Sequence, residues 1–398
     1  MALPENSLNR HFAVDTQLPG RLRPSLDSAF ILALVGILLL GLVMVVSSSI
    51  SFAEKQWHDP FYYLWRQLET MAIGLIFAAI LSRIPLQVWQ KFGPLMLAIA
   101  VLLLILIFIP GLGKTVNGST RWLCMGDTCA QPSELLKLTF ILYIAGYLVR
   151  HEKKLEENAR YYLIPLVLLA GIACLLLLQP DLGVVIVILC ITLGLLFLAG
   201  MPMRVFFVLL APVLVLVTAL VTFSDYRLQR LLSFVDPCGD DRAFTHGYQL
   251  CQSLIAFGRG GFSGVGLGGS VQKLFYLPEA HTDFVLAVLA EEIGLLGMIL
   301  VLLLFAVLIY KITQIALRAH RAGLVFGAFV AHGIALWLAV QTLMNMGVNS
   351  GLLPTKGLTL PLMSYGGSSM VVTLMAMGLL LRIEKESQVL LGSSREVV

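Results

Sequence analysis

The sequence predicts an all-α, polytopic integral membrane protein of about ten transmembrane helices with one large external loop. Three observations carry that expectation. Of 398 residues, 58% are hydrophobic and only 13% charged, against the ~25% charged of an ordinary soluble chain, so polar material is too scarce to clothe a water-facing surface. Uncharged runs of about 20 residues, the length that crosses a ~30 Å hydrocarbon core, recur along the chain. One segment, from about 224 to 282, is too long and too polar for a turn between spans. The formal net charge of +4 is too mild to imply nucleic acid, and six cysteines are too few for a disulfide scaffold.

In chain order, residues 1–27 form a polar tail with no small-residue cleavage site ahead of an apolar region, so the first helix, over 29–50, is expected to stay as an anchor rather than a removable signal. Uncharged intervals from Asp27 to Glu54, Lys91 to Lys114, Arg160 to Asp181, Asp181 to Arg204 and Arg204 to Asp225 give five spans. Glu292 to Lys311, Arg321 to Lys356 and Lys356 to Arg382 give three more. Two further apolar stretches complete the count: 63–82, which carries Glu69, and 132–149, which carries Glu134 and Lys137. The transmembrane domain is thus read as 28–383, with a C-terminal tail from 384. Placing both termini in the cytoplasm puts most of the 27 Lys and Arg inside, among them Arg21, Arg23, Arg83, Lys153, Lys154 and Arg382, as the distribution of basic residues about spans requires. The 224–282 loop is then external.

Ionisable groups at membrane depth are costly and mark function by default. In this orientation Glu69, Glu134, Lys137, Asp181, Asp283, Glu291, Glu292 and Lys356 all fall toward the outer side, which points to chemistry at the outer surface rather than to an ion pathway through the midplane. Pro278 to Phe284 closes the external loop and opens a helix. Thr282 or Asp283 there is read either as a simple helix cap or as a reactive carboxylate. Glu291 and Glu292, two turns on, are hard to explain as capping. Glu134 and Lys137, three residues apart, share a helix face and can pair; Lys137, with Arg121 and Lys114, can also neutralise an anionic group arriving from the outer leaflet. Arg121 beside Trp122 suits a sugar face or the interfacial aromatic belt.

Other motifs are discounted. Gly111 to Thr115 resembles the end of a nucleotide-binding loop but has Phe108 where glycine belongs. The glycine run 258–269 follows no strand and is read as close backbone packing. His246, His281 and His332 lack companion ligands at metal spacing, so no structural metal is expected. Cys124, Cys129, Cys238 and Cys251 are all external and close in pairs, so Cys124 is expected to join Cys129, and Cys238 to join Cys251.

Five motifs in order then carry a resemblance: 117–123 (NGSTRWL), 131–138 (QPSELLKL), 179–183 (QPDLG), 278–294 and 361–369 (PLMSYGGSS). Together they resemble the SEDS family of bacterial peptidoglycan glycosyltransferases over nearly the whole of 28–383, and the 270–283 tract is more similar to its division members than to its elongation members. The resemblance implies polymerisation of lipid II into undecaprenyl-linked glycan strands at the outer face of the inner membrane, at the division septum. It carries the family's essential acid onto Asp283 and its cavity pair onto Glu134 and Lys137, and it implies a class B penicillin-binding protein and other divisome membrane proteins as partners.

The chemistry implied needs one general base, for which Asp283 is the candidate, since a diphosphate leaving group requires no general acid. Arg121, Lys137, Arg230, Lys273 and Lys356 are the cationic candidates for diphosphate and sugar, with Trp122, Ser364, Glu134, Glu291 and Glu292 completing the proposed substrate-binding set. A divalent cation, magnesium or manganese, is a further candidate for the cationic task. The rivals are a lipid II flippase, which predicts polar groups through the full membrane depth, the elongation-type polymerase of the same family, and a scaffold without chemistry, which leaves the outer carboxylates unexplained.

Overall fold

The computed structural model describes residues 27–116, 119–125, 128–208, 210–211, 222, 234–239 and 247–393. Asp27 starts the first helix, α1 (Ser28–Trp57), by accepting a hydrogen bond from the Ala29 amide at 3.0 Å and an ion pair from Lys311 at 2.8 Å. α2 (Tyr62–Leu81) and α3 (Leu86–Leu106) follow through short turns. Beyond α3 the chain forms an antiparallel meander, β1 (Gly113–Val116), β2 (Ser119–Met125) and β3 (Thr128–Ala130). The all-α reading had no place for this sheet; threonines, valine and tryptophan favour strands here, and the Cys124–Cys129 disulfide joins residues directly opposite across β2 and β3.

α4 (Pro132–Arg150) begins with proline at its first turn, where the missing N–H costs nothing. A short α5 (Glu152–Glu157) and a 3₁₀ turn lead into α6 (Leu163–Leu178) and α7 (Leu182–Leu198). In the long segment between α7 and α9, α8 (Tyr248–Gly260) is tied back by the Cys238–Cys251 disulfide. α9 (Val285–Arg321), α10 (Val325–Asn349) and α11 (Gly367–Ser393) complete the described chain, α11 running well past the boundary expected at 383.

Eight helices among the described residues are long and apolar enough to cross a membrane, and α7, at 17 residues, is a shorter apolar ninth. The span expected between Arg204 and Asp225 lies largely outside the described residues. α4 sits at the centre: 83% of its apolar window is buried, against 22% for α2 and 28% for α3. α2 lies along α11, where a Cβ on Gly378 would overlap the backbone of Ala78, so only glycine permits that approach.

α9 is 37 residues long, about 55 Å at 1.5 Å per residue, far more than a span needs. It breaks at Gly294, whose φ of 71° and ψ of −158° are open only to glycine. The break would leave backbone groups unpaired inside the membrane. The glycine run pairs them: the amides of Val265 and Gly266 reach the carbonyls of Glu291 and Glu292, both at 3.0 Å, and the Leu295 amide reaches Gly261 O at 3.0 Å. Irregular backbone at this depth is tolerated where protein satisfies it, and the close-packing reading of 258–269 is what this segment does.

Candidate active site

Asp283 lies in the turn before α9, partly exposed, and it is not the helix cap. That position belongs to Phe284, which caps with no side chain, while the Thr282 hydroxyl bonds the Glu279 carboxylate at 2.7 Å. The capping alternative for Thr282 and Asp283 is therefore overturned. What fixes Asp283 is its main-chain oxygen, which accepts from Asn345 Nδ2 at 2.9 Å and Asn349 Nδ2 at 3.0 Å. Asn349 Oδ1 also takes the Ala287 amide at 3.2 Å, serving the first turn of α9. No hydrogen-bond donor among the described residues reaches the Asp283 carboxylate. Burial, then the charges of Glu279 and Asp181, outweigh the nearby Arg121 and push its pKa up to about 7.

Arg121 projects from β2 onto the turn between α6 and α7, its Nε donating to Gln179 O at 3.2 Å and its Nη2 to Pro180 O, with Asp181 Oδ2 4.0 Å from Nε. Gly357 stands between this guanidinium and the acid. A Cβ there would lie 3.1 Å from Asp283 Oδ2 and 4.0 Å from Arg121 Nη1. Arg121 and Asp283 thus flank one small gap at one end of the bundle, with Trp122 next along β2, paired opposite Lys114, and Lys356 beside Gly357.

Below the gap lies the pair expected on α4. Lys137 Nζ is 2.9 Å from the Glu134 carboxylate, 2.8 Å from Gln341 Oε1 and 4.9 Å from the centre of the Trp337 ring. Lys137 is fully buried, so it supports the site from beneath; Gln341 continues upward to Thr359 O at 2.9 Å. Ser364 is also structural in its contacts, its hydroxyl accepting the Leu360 amide at 2.9 Å.

Lys273, Glu291 and Glu292 form a separate cluster. Glu291 accepts from Ser270 Oγ, from the Val271 and Gln272 amides at 3.1 and 3.2 Å, and from Arg259 at 3.2 Å. Glu292 accepts from Ser47 Oγ at 2.7 Å and from Lys273 Nζ at 2.7 Å. All three side chains are buried, Lys273 paired with Glu292 and Glu291 held by the 259–272 segment, and in these contacts they anchor the end of the long loop to α1 and α9. Arg230 lies outside the described residues. Among those described, no three His, Cys, Asp or Glu side chains gather as metal ligands; the two carboxylates Asp283 and Asp181 stand on either side of an arginine, a donor set that does not suit a protein-held divalent cation.

The sequence reading missed Gln341, Asn345 and Asn349, all nearly fully buried. Their signal was present: three amides spaced four apart in an apolar helix make one polar stripe. His281 is packed against Phe52, Tyr63 and Tyr365 at 5.6, 4.6 and 5.7 Å between ring centres, and burial holds its pKa below the usual range.

Known proteins resemble this chain over most of its length. A probable peptidoglycan glycosyltransferase FtsW of Thioalkalivibrio sulfidiphilus is 50% identical over 371 residues, 93% of this chain and 92% of that one. One of Nitrosococcus halophilus is 48% identical, covering 96% and 97%. Of solved structures, a peptidoglycan synthase complex contains a chain matching with a TM-score of 0.75 at 30% identity, covering 91% of this chain and 98% of that one. The rod shape determining protein RodA of Thermus thermophilus matches with 0.66 at 28% identity, covering 91% and 97%. Residues 28–389 match the family model described as cell cycle protein and named for FtsW, RodA and SpoVE. The resemblance read from the five motifs is borne out, and the chain belongs to that family.

Proposed function

We propose that the protein is the division-type peptidoglycan glycosyltransferase, polymerising lipid II at the outer face of the bacterial cytoplasmic membrane, with Asp283 as general base. The observation that carries the assignment of the base is the Asp283 carboxylate: held by its backbone, free of hydrogen-bond donors among the described residues, next to Arg121, and with a pKa near the working pH, where a general base is most effective. In the reaction, Asp283 takes the proton of the acceptor sugar 4-hydroxyl as its oxygen bonds to the donor's anomeric carbon. The bond from that carbon to undecaprenyl diphosphate breaks with inversion, and the diphosphate leaves with the electron pair. Asp283 returns its proton to solvent. Arg121, with Lys356 from the segment between α10 and α11, is assigned to the charge that develops on the diphosphate, and Trp122 to a sugar face.

With both termini cytoplasmic, this site faces the periplasm, and the glycan product would be handed to a class B penicillin-binding protein bound along lipid-facing helices. The discriminating experiment is glycan-chain length from lipid II with Asp283→Asn. A folded variant with polymerisation reduced at least a hundredfold supports the base; a folded variant at the wild-type rate removes it.

A further inference from the structure

The carboxylate of Asp181 has no place in the transfer step as described, yet it is one of the most deeply buried charges in the protein, 2% exposed at the turn between α6 and α7. The bland account is a cap for α7, and Asp181 Oδ1 does accept the Val184 amide, though at a long 3.4 Å. The other oxygen is buried and has no hydrogen-bond partner among the described residues. It points toward Arg121, 4.0 Å from Nε.

The guanidinium is planar and its donors diverge in a fixed fork. Its Nε and Nη2 edge is held by Gln179 O, Pro180 O and the Asp181 charge, all from one turn. That leaves Nη1 directed to the other side, where it borders Gly357 and, across it, Asp283 Oδ2. A carboxylate sealed behind the arginine cannot meet a lipid-linked sugar. It can decide where the arginine stands.

We infer that Asp181 is a positioning residue for glycosyl transfer, holding Arg121 by its inner edge so that the outer edge faces the gap in which Asp283 and the leaving diphosphate meet. The inference rests on the transfer reading above. The same geometry couples Asp181 to the base. The groups facing Asp283 are Glu279 on its own loop, Arg121 from β2 and Asp181 from the α6–α7 turn, and Asp181 itself feels Arg121, Glu134 and Lys137. Removing the negative charge at 181 takes away a repulsion that raises the Asp283 pKa, which moves the acid limb of activity to lower pH.

The test uses the full-length protein with its transpeptidase partner in lipid nanodiscs, with lipid II as substrate. Asp181→Asn retains a capping oxygen, so a cap alone predicts a wild-type rate and an unmoved acid limb. The positioning role predicts kcat reduced at least tenfold with KM changed less than threefold, an acid limb shifted downward by at least half a pH unit, and partial recovery in Asp181→Glu. In an Arg121→Ala background the further substitution Asp181→Asn should change the rate less than twofold, because residues acting as a unit are not additive. Wild-type kcat and pH profile in Asp181→Asn, or full additivity with Arg121→Ala, overturns the inference. Asp181→Ser, which also caps, serves the same comparison if the Asn variant does not fold. Failure of the transfer reading shows differently: Asp283→Asn then polymerises normally whatever the outcome at 181.

Discussion

At the scale of single residues, the proposed chemistry turns on a carboxyl whose burial raises its pKa. A carboxylate pKa raised from 3.8 to about 7 means the folded protein binds this proton more tightly than the unfolded chain. The associated stability is complete below about 4 and is lost as pH rises through about 7. Asp283→Asn escapes that loss. Thermal unfolding of wild type and variant should therefore give similar midpoints at pH 5 and a higher midpoint for the variant at pH 8. Polymerisation by the wild type should fall on acidification with an apparent pKa of about 7, because the base must be ionised. An activity flat from pH 8 to 5.5 would contradict the assignment. The position of Asp283, between the end of the loop and the start of a helix, was legible in the sequence. The fate of Glu291 and Glu292 was not, because carboxylates that hold a loop and carboxylates that hold a ligand are the same letters until their partners are seen.

At the scale of elements, α10 explains how the site is kept rigid. Gln341, Asn345 and Asn349 follow one another by four residues, so their amides line one face, and between them they bind the backbone of both segments that flank the gap. Asn349→Ala removes one of the two donors to Asp283 O and the acceptor for the Ala287 amide, leaving that buried amide unpaired at a cost of ~1–3 kcal/mol. The expected outcome is a lower unfolding midpoint and a loss of polymerisation of at least tenfold. The α9 break makes a harsher forecast. Gly294→Ala forces a side chain into the backbone of Gly264 at a φ of 71°, so little monodisperse protein should survive size-exclusion chromatography in detergent. Helix boundaries were readable to within a few residues for α2 and α4, since an apolar run ends where charge begins. The β1–β3 sheet was not, because three short strands leave no periodicity long enough to separate from a loop.

At the scale of the whole molecule, the polytopic helical class followed from the distribution of charge along 398 residues, since the bilayer penalises every misplaced ion. The packing order around α4 did not, because helices that are apolar all round carry no mark of which neighbour they face. Both expected disulfides are formed, while Cys174 and Cys190 are free and Cys174 is exposed on α6. A small maleimide applied to unreduced, detergent-solubilised protein should modify Cys174 readily. Cys124, Cys129, Cys238 and Cys251 should react only after reduction. Labelling of those four without reductant would show that the sheet bearing Arg121 and the loop bearing α8 are not covalently closed.

The acid at the centre of this protein is gripped by its main chain and left alone at its tip. Architecture and reactivity are therefore separable at position 283, and a replacement there should build a complete but inert molecule. On the proposed function, such a molecule would still occupy its lipid-linked substrate and its partner, so in a cell that also makes the normal protein it should act as a poison, slowing septation in proportion to its share of the pool. Replacements at Asn345 or Asn349, which loosen the grip itself, should be weaker poisons in that setting, because a less stable protein leaves fewer folded copies to compete.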